Sequence, residues 1–179
     1  MPRAPFNVLV YPYHELAEGG FLYAVLKRAD EGWWQAIAGG GEANETPVQA
    51  ARREAHEEGG ISEDCSLLEL STVIPVPVAH FPESHLWGDE LYVIPQYCFG
   101  VLVRTAVLVL SAEHTECRCV RYEEAQALLR YDGNRTALWE LHARLSGSGP
   151  RGMGTAETKP AKAGPLANRH SPNFSSAIA

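Results

Sequence analysis

Glu54, Glu57 and Glu58 stand at i, i+3 and i+4, the spacing that places three side chains on one face of a helix. Like charges so arranged repel, and the face calls for a cation. Carboxylates are hard oxygen ligands, suited to a divalent ion such as Mg²⁺ that keeps part of its water and shares its coordination with phosphate. An acidic helical face alone is ordinarily solvated surface, and Arg53 with Glu57 is an ordinary i, i+4 pair. The surroundings set this one apart: Gly39-Gly40-Gly41 precede it, Glu45 sits at its mouth, Arg53 directly precedes Glu54, and Gly60-Ile61 follow. Clustered carboxylates of this kind can hold metal that neutralises developing phosphate charge and generates hydroxide near neutral pH.

Positioning these residues requires a helix with defined ends. Thr46-Pro47-Val48-Gln49 supplies an N-cap, a proline at the first helical position and a glutamine three residues after the cap, while Gly59-Gly60 is a stop signal. The helix is therefore expected from about Pro47 to Glu58. Before it, Asn7–Tyr13, Phe21–Arg28 and Trp33–Ile37 are β-branched or aromatic runs between turn residues and read as strands. After it, Leu70–Val76, Leu91–Val103, Ala106–Leu110 and Glu116–Arg121 read likewise, with Pro95 marking an edge or bulge. Tyr97, Phe99, Val101 and Val103 would form a core stripe on one side of the long strand. Two closing helices fit Glu123–Leu129 and Asn134–Leu145, the second behind an Asn134 cap. The elements lack a regular βαβ rhythm, which predicts an α+β fold with a mixed β-sheet flanked by helices.

The spacing Gly39, five residues, Glu45, seven residues, Arg53-Glu54-Ala55, one residue, Glu57-Glu58, one residue, Gly60-Ile61 resembles the Nudix box at every position. Resemblance to the Nudix hydrolases implies an α/β/α sandwich and metal-assisted attack of water on a diphosphate linked to another group. It implies Glu57 and Glu58 as metal ligands, Glu54 as ligand or base, Arg53 as the group orienting a glutamate, and the Ala38 carbonyl as a further ligand. Context outside the box is similar to the dihydroneopterin triphosphate and dATP pyrophosphohydrolase branch: Trp34-Gln35 enters the box, Glu113-His114 resembles an EH strand entry, and Gly133-Asn134-Arg135 resembles a final-helix segment. That branch implies Glu113 as an additional metal contact and Trp34, Gln35, His114 and Arg135 as substrate contacts. It departs at Ile37-Ala38, where Pro-Gly is commoner; a positive φ at Ala38 would strain it. Cys119 also replaces a usual aromatic.

The implied reaction is Mg²⁺-dependent hydrolysis, with Mn²⁺ as a substitute, of a nucleoside or pterin triphosphate to monophosphate and pyrophosphate. The runner-up substrates are ADP-ribose, nucleotide sugars and dinucleoside polyphosphates. A non-catalytic nucleotide sensor should lack a box glutamate, and this chain keeps all three.

The 179 residues carry a net charge of −7, which argues against a nucleic-acid polymer as partner. From Ser146 the sequence is rich in Gly, Pro, Ser and Ala and reads as a disordered tail, residues 146–179, after a domain of residues 1–145. The tail carries +3, leaving −10 on the domain. Four cysteines without CxxC spacing, and no secretory signal, point to reduced thiols in the cytoplasm. No apolar run is long enough to span a bilayer, so the expected partner is a small phosphorylated molecule, bound by a monomer or homodimer. His80 and His85 lie in the Pro-, Gly- and His-containing stretch His80–Glu90, which has the composition of a substrate-facing lid or of an ordinary surface loop.

Overall fold

A computed structural model describes residues 3–105 and 107–148. Its centre is β1 (Arg3–Glu15), whose thirteen residues serve several partners in turn. Asn7 to Val10 pair antiparallel with β4 (Ile37–Glu42), and Tyr13 to Glu15 pair antiparallel with β2 (Phe21–Arg28). On its other edge, Asn7 to Tyr13 run parallel to β6 (Val93–Leu102), which pairs antiparallel with β5 (Leu67–Pro77). The short β3 (Trp34–Gln35) and β7 (His114–Val120) both join β2, completing a mixed seven-stranded sheet. The mixed sheet and flanking helices are those of the predicted α+β fold.

Side-chain alternation along β1 divides the core. Val8 and Val10 pack with Ile37, Phe99 and Val101 under α1 (Pro47–Gly59), which contributes Ala50, Ala51 and Ala55. Leu9 and Tyr11 pack on the opposite face with Ala125 of α2 (Tyr122–Leu128) and Leu138 and Leu141 of α3 (Asp132–Leu145). Small residues on α1 let it lie close to the sheet. Its ends match the sequence signals: Thr46 Oγ1 accepts from Gln49 N–H at 3.3 Å, Gln49 Oε1 accepts from Thr46 N–H at 2.8 Å, and Gly60 takes the left-handed φ of 63°.

Four expectations need correction. The run Trp33–Ile37 is divided at Ala36 between β3 and the start of β4, and β4 continues through the three glycines. Residues 107–110 form no strand; Val109 N–H donates to Gly59 O at 3.1 Å and Ser111 N–H to Glu58 O at 3.3 Å, so this segment satisfies the carbonyls at the end of α1. Asn134 does not cap α3: Tyr131 is the N-cap, and Asn134 lies buried in the first turn. Pro95 sits on the inner strand β6 opposite Pro75, one residue before the parallel pairing with β1 begins, where its missing N–H interrupts no ladder to β1. The segment expected to be a tail lies, beyond Ser148, outside the described residues. None of the four cysteines forms a disulfide, and Cys98 is buried. Among the described residues no helix is long and apolar enough to cross a membrane.

One buried hydrogen bond ties α3 to the sheet. Tyr11 Oη donates to the carbonyl of Asn134 at 3.0 Å, across a core where Tyr11 is fully buried. Tyr11→Phe keeps the ring and removes the donor, so it is expected to cost about 1 kcal/mol, read as a lower denaturant midpoint with an unchanged slope.

Candidate active site

A four-residue turn joins β4 to α1, so the helix packs back over the face of the sheet that the glycine strand helps to form. Gly39 is opposite Val8 of β1, and a Cβ built on it would come within 1.9 Å of the Glu54 carboxyl carbon. The missing side chain is what admits the carboxylate to the strand. Glu58, one turn further, reaches the same strand: its Oε2 accepts from Ala38 N–H at 3.4 Å and lies 2.8 Å from His114 Nε2. Ala38 has no positive φ; Asn44, at 73°, is the only non-glycine residue described with one. Alanine is therefore unstrained there.

Arg53 organises the acidic face. Its Nε donates to Glu45 Oε1 at 2.9 Å and its Nη2 to Glu45 Oε2 at 3.0 Å, a bidentate clamp. Nη1 donates to Glu54 at 2.8 Å and to Glu57 at 2.9 Å, and Nη2 also reaches the Gly40 carbonyl at 2.7 Å. One guanidinium thus fixes three carboxylates and the glycine strand. It holds the Glu45 carboxyl below its usual range. Burial pushes the Glu54 carboxyl up to about 7; Arg53 pulls it down, and Glu58 and Glu57 push it further up.

Glu54 and Glu58 line a cleft of about 760 Å³, with Glu113 arriving from the loop before β7. Gln35, Ala38, Gly39 and Gly40 lie beneath it, and Trp33, Tyr131 and Asn134 border it. Among the described residues no three His, Cys, Asp or Glu side chains already converge as a metal cluster. The donor chemistry nevertheless fits a hard divalent ion: Glu54 is a buried carboxyl that Arg53 only partly compensates against burial and the neighbouring Glu58 and Glu57, and Glu58 and the main chain of Ala38 lie beside the same glycine strand.

The remaining predicted residues divide. Gln35 lines the cleft, whereas Glu57 points outward with its side chain 55% exposed. Trp34 packs against the core and carries Arg118 4.8 Å above its ring, so Trp33 and not Trp34 borders the cleft. His114, with a fully buried side chain, stands behind Glu58 rather than on the cleft wall, and its Nδ1 has no partner. Arg135 turns away to bond Gln126 O, Leu129 O and Asp132, joining α2 to the start of α3. The sequence reading missed Arg3, Asn7 and Gln96, which line the cleft because of strand register rather than any local motif. Of the proposed lid, His80 and Glu83 line the cleft within two 3₁₀ turns, Val78–His80 and Pro82–Leu86.

The NUDIX domain model matches residues 8–141. No curated protein matches the sequence. Among solved structures, a Listeria monocytogenes protein described as a NUDIX hydrolase is 37% identical, with a TM-score of 0.72, over 81% of this chain and 97% of that one. The Escherichia coli dihydroneopterin triphosphate pyrophosphohydrolase is 24% identical, with a TM-score of 0.66, over 79% of this chain and 97% of that one. An Ap4A hydrolase from Caenorhabditis elegans is 20% identical, with a TM-score of 0.60, over 80% and 99%. With the box glutamates gathered at the glycine strand and the family model spanning most of the described residues, the chain belongs to the NUDIX family and is a hydrolase of phosphoric anhydride bonds.

Proposed function

We propose that this hydrolase cleaves a nucleoside or pterin triphosphate to the monophosphate and pyrophosphate, using Mg²⁺. The observation that carries the reading is the meeting of Glu54 and Glu58 beside Gly39 on the wall of a cleft of about 760 Å³, a volume that suits a small phosphorylated molecule. Glu54, Glu58 and the Ala38 carbonyl would hold the ion, with Glu113 as a further oxygen donor and Glu57 joining only by turning in from its exposed position. A bound Mg²⁺ would neutralise phosphate charge and acidify coordinated water.

The chain's own residues do the rest. Glu54, with its carboxyl pushed up to about 7, is suited to accept a proton from water near neutral pH. Arg53 bridges Glu54 and Glu57 through one nitrogen and so orients both carboxylates. Because lysine lacks the planar fork that clamps Glu45, Arg53→Lys is expected to lower kcat about tenfold or more with little change in melting temperature. A steady-state assay beside a thermal melt checks both.

The reading is tested by following pyrophosphate and phosphate release from nucleoside triphosphates, dihydroneopterin triphosphate, ADP-ribose and dinucleoside polyphosphates, with Mg²⁺ and with chelator. Metal-dependent pyrophosphate from a triphosphate is the expected result. Turnover confined to ADP-ribose or dinucleotides would overturn the substrate class.

A further inference from the structure

Strand register builds the floor of the cleft. Asn7 of β1 lies opposite Gly40 in β4 and opposite Gln96 in β6, and Gln96 lies opposite Ile74 in β5. These four positions form one row across four adjacent strands, and all of them line the cleft. Asn7 alternates with Phe6 and Val8, which pack under α1, so the row belongs to the opposite face, that of α2 and α3. Two amides thus occupy the middle of the floor, an apolar side chain one end, and a glycine the other.

Arg3 fills the space above that glycine. A Cβ on Gly40 would lie 2.5 Å from the Arg3 guanidinium carbon and 2.6 Å from its Nε. The guanidinium is held in place by Asn7 Oδ1, which accepts from Nη2 at 2.7 Å, and by the Phe81 ring 4.8 Å away, while the Arg3 main-chain carbonyl accepts from Trp87 Nε1 at 3.0 Å. Arg28, the other arginine lining the cleft, is paired with Asp30 and Glu31, whereas Arg3 forms no salt bridge among the described residues. Its Nε is buried without a hydrogen-bond partner. A buried, orphaned donor on an immobilised planar cation is costly unless a ligand supplies the acceptor.

We propose that Arg3, Asn7 and Gln96 form the ring-recognition subsite and select an oxo-substituted heterocycle, guanine or a pterin, over an amino-substituted one such as adenine. This inference rests on the triphosphate reading above. A guanidinium fork matches the carbonyl and neighbouring ring nitrogen of guanine, an edge that a pterin shares, and meets an opposing N–H donor on adenine. Gln96 donates to Val8 O at 3.4 Å, which leaves its carbonyl oxygen to accept from a ring N–H. The neutral amides of Asn7 and Gln96 and the Phe81 ring are the partners beside Arg3, which suits a ring better than a phosphate.

The test uses the full chain. Wild type is expected to show a kcat/KM about tenfold or more higher for dGTP, GTP or dihydroneopterin triphosphate than for dATP or ATP, and to bind GMP more tightly than AMP by calorimetry. Arg3→Gln should collapse that ratio mainly through KM, and Arg3→Lys should do the same, because lysine keeps the charge but loses the fork. Equal or adenine-favouring kinetics in wild type would overturn the proposal. So would an Arg3→Lys enzyme that keeps full selectivity while Arg3→Gln weakens both ring classes equally, the signature of a phosphate contact. If no triphosphate is turned over, the functional reading fails, and the GMP and AMP titrations on wild type still decide the subsite.

Discussion

Glu54→Gln is expected to lower kcat/KM by about 10²–10⁴ while leaving the chain folded, the range that loss of a general base or a charged ligand produces. Glutamine keeps the shape that fits over Gly39 and an acceptor for Arg53, but neither ionises nor accepts a proton from water. The same substitution has a stability signature of known sign. The Glu54 carboxyl is raised from 4.5 to about 7 by burial, so folding favours its protonated form. Stability from that preference is present below pH 4.5 and is lost as pH rises toward 7. In chelator, Glu54→Gln should therefore melt above wild type at pH 8, and the difference should shrink as pH falls toward 4.5. A variant that melts lower at pH 8 would mean that the Arg53 pair outweighs the burial of the carboxylate; unchanged turnover would remove Glu54 from the chemistry.

The parts of the molecule that were readable from sequence are those specified by neighbouring residues. Thr46-Pro47-Val48-Gln49 and Gly59-Gly60 set the ends of α1 because caps and left-handed turns are local chemistry. The acidic face followed from helical periodicity alone. Where sequence reasoning failed, a distant partner decided the outcome. The apolar run Ala106–Leu110 has strand composition, yet its backbone at Val109 is taken up by Gly59. Asn134 has the chemistry of a cap, yet it is drawn inside α3, where Tyr11 bonds its carbonyl from 123 residues away. Trp33 and Trp34 are indistinguishable in composition; only the placement of β3 against β2 decides which ring borders the cleft. Arg3, Asn7 and Gln96 carry no motif, and only the register of β1 against β4 and β6 brings them together.

Gly39→Ala separates geometry from chemistry, because it leaves every carboxylate in the sequence and moves one of them. The added Cβ would stand 1.9 Å from the Glu54 carboxyl carbon and 2.0 and 2.2 Å from its oxygens, far inside van der Waals contact. The neighbour that must yield is the end of a side chain rather than backbone, and Gly39 has no positive φ, so the strand accommodates alanine without backbone strain. The sheet should persist, with Glu54 displaced and its 2.8 Å bond to Arg53 broken or redirected. A displacement of about 1 Å at a reacting group costs on the order of 10² in rate, so kcat should fall about that much with a melting temperature near that of wild type. The contrast with the neighbouring position is informative: on Gly40 the colliding group is Arg3, so Gly40→Ala should disturb ring selection more than the chemical step. If Gly39→Ala retained full kcat, the approach of Glu54 to β4 would not be what positions it, and the reacting geometry would have to be sought at Glu58 and its partner His114.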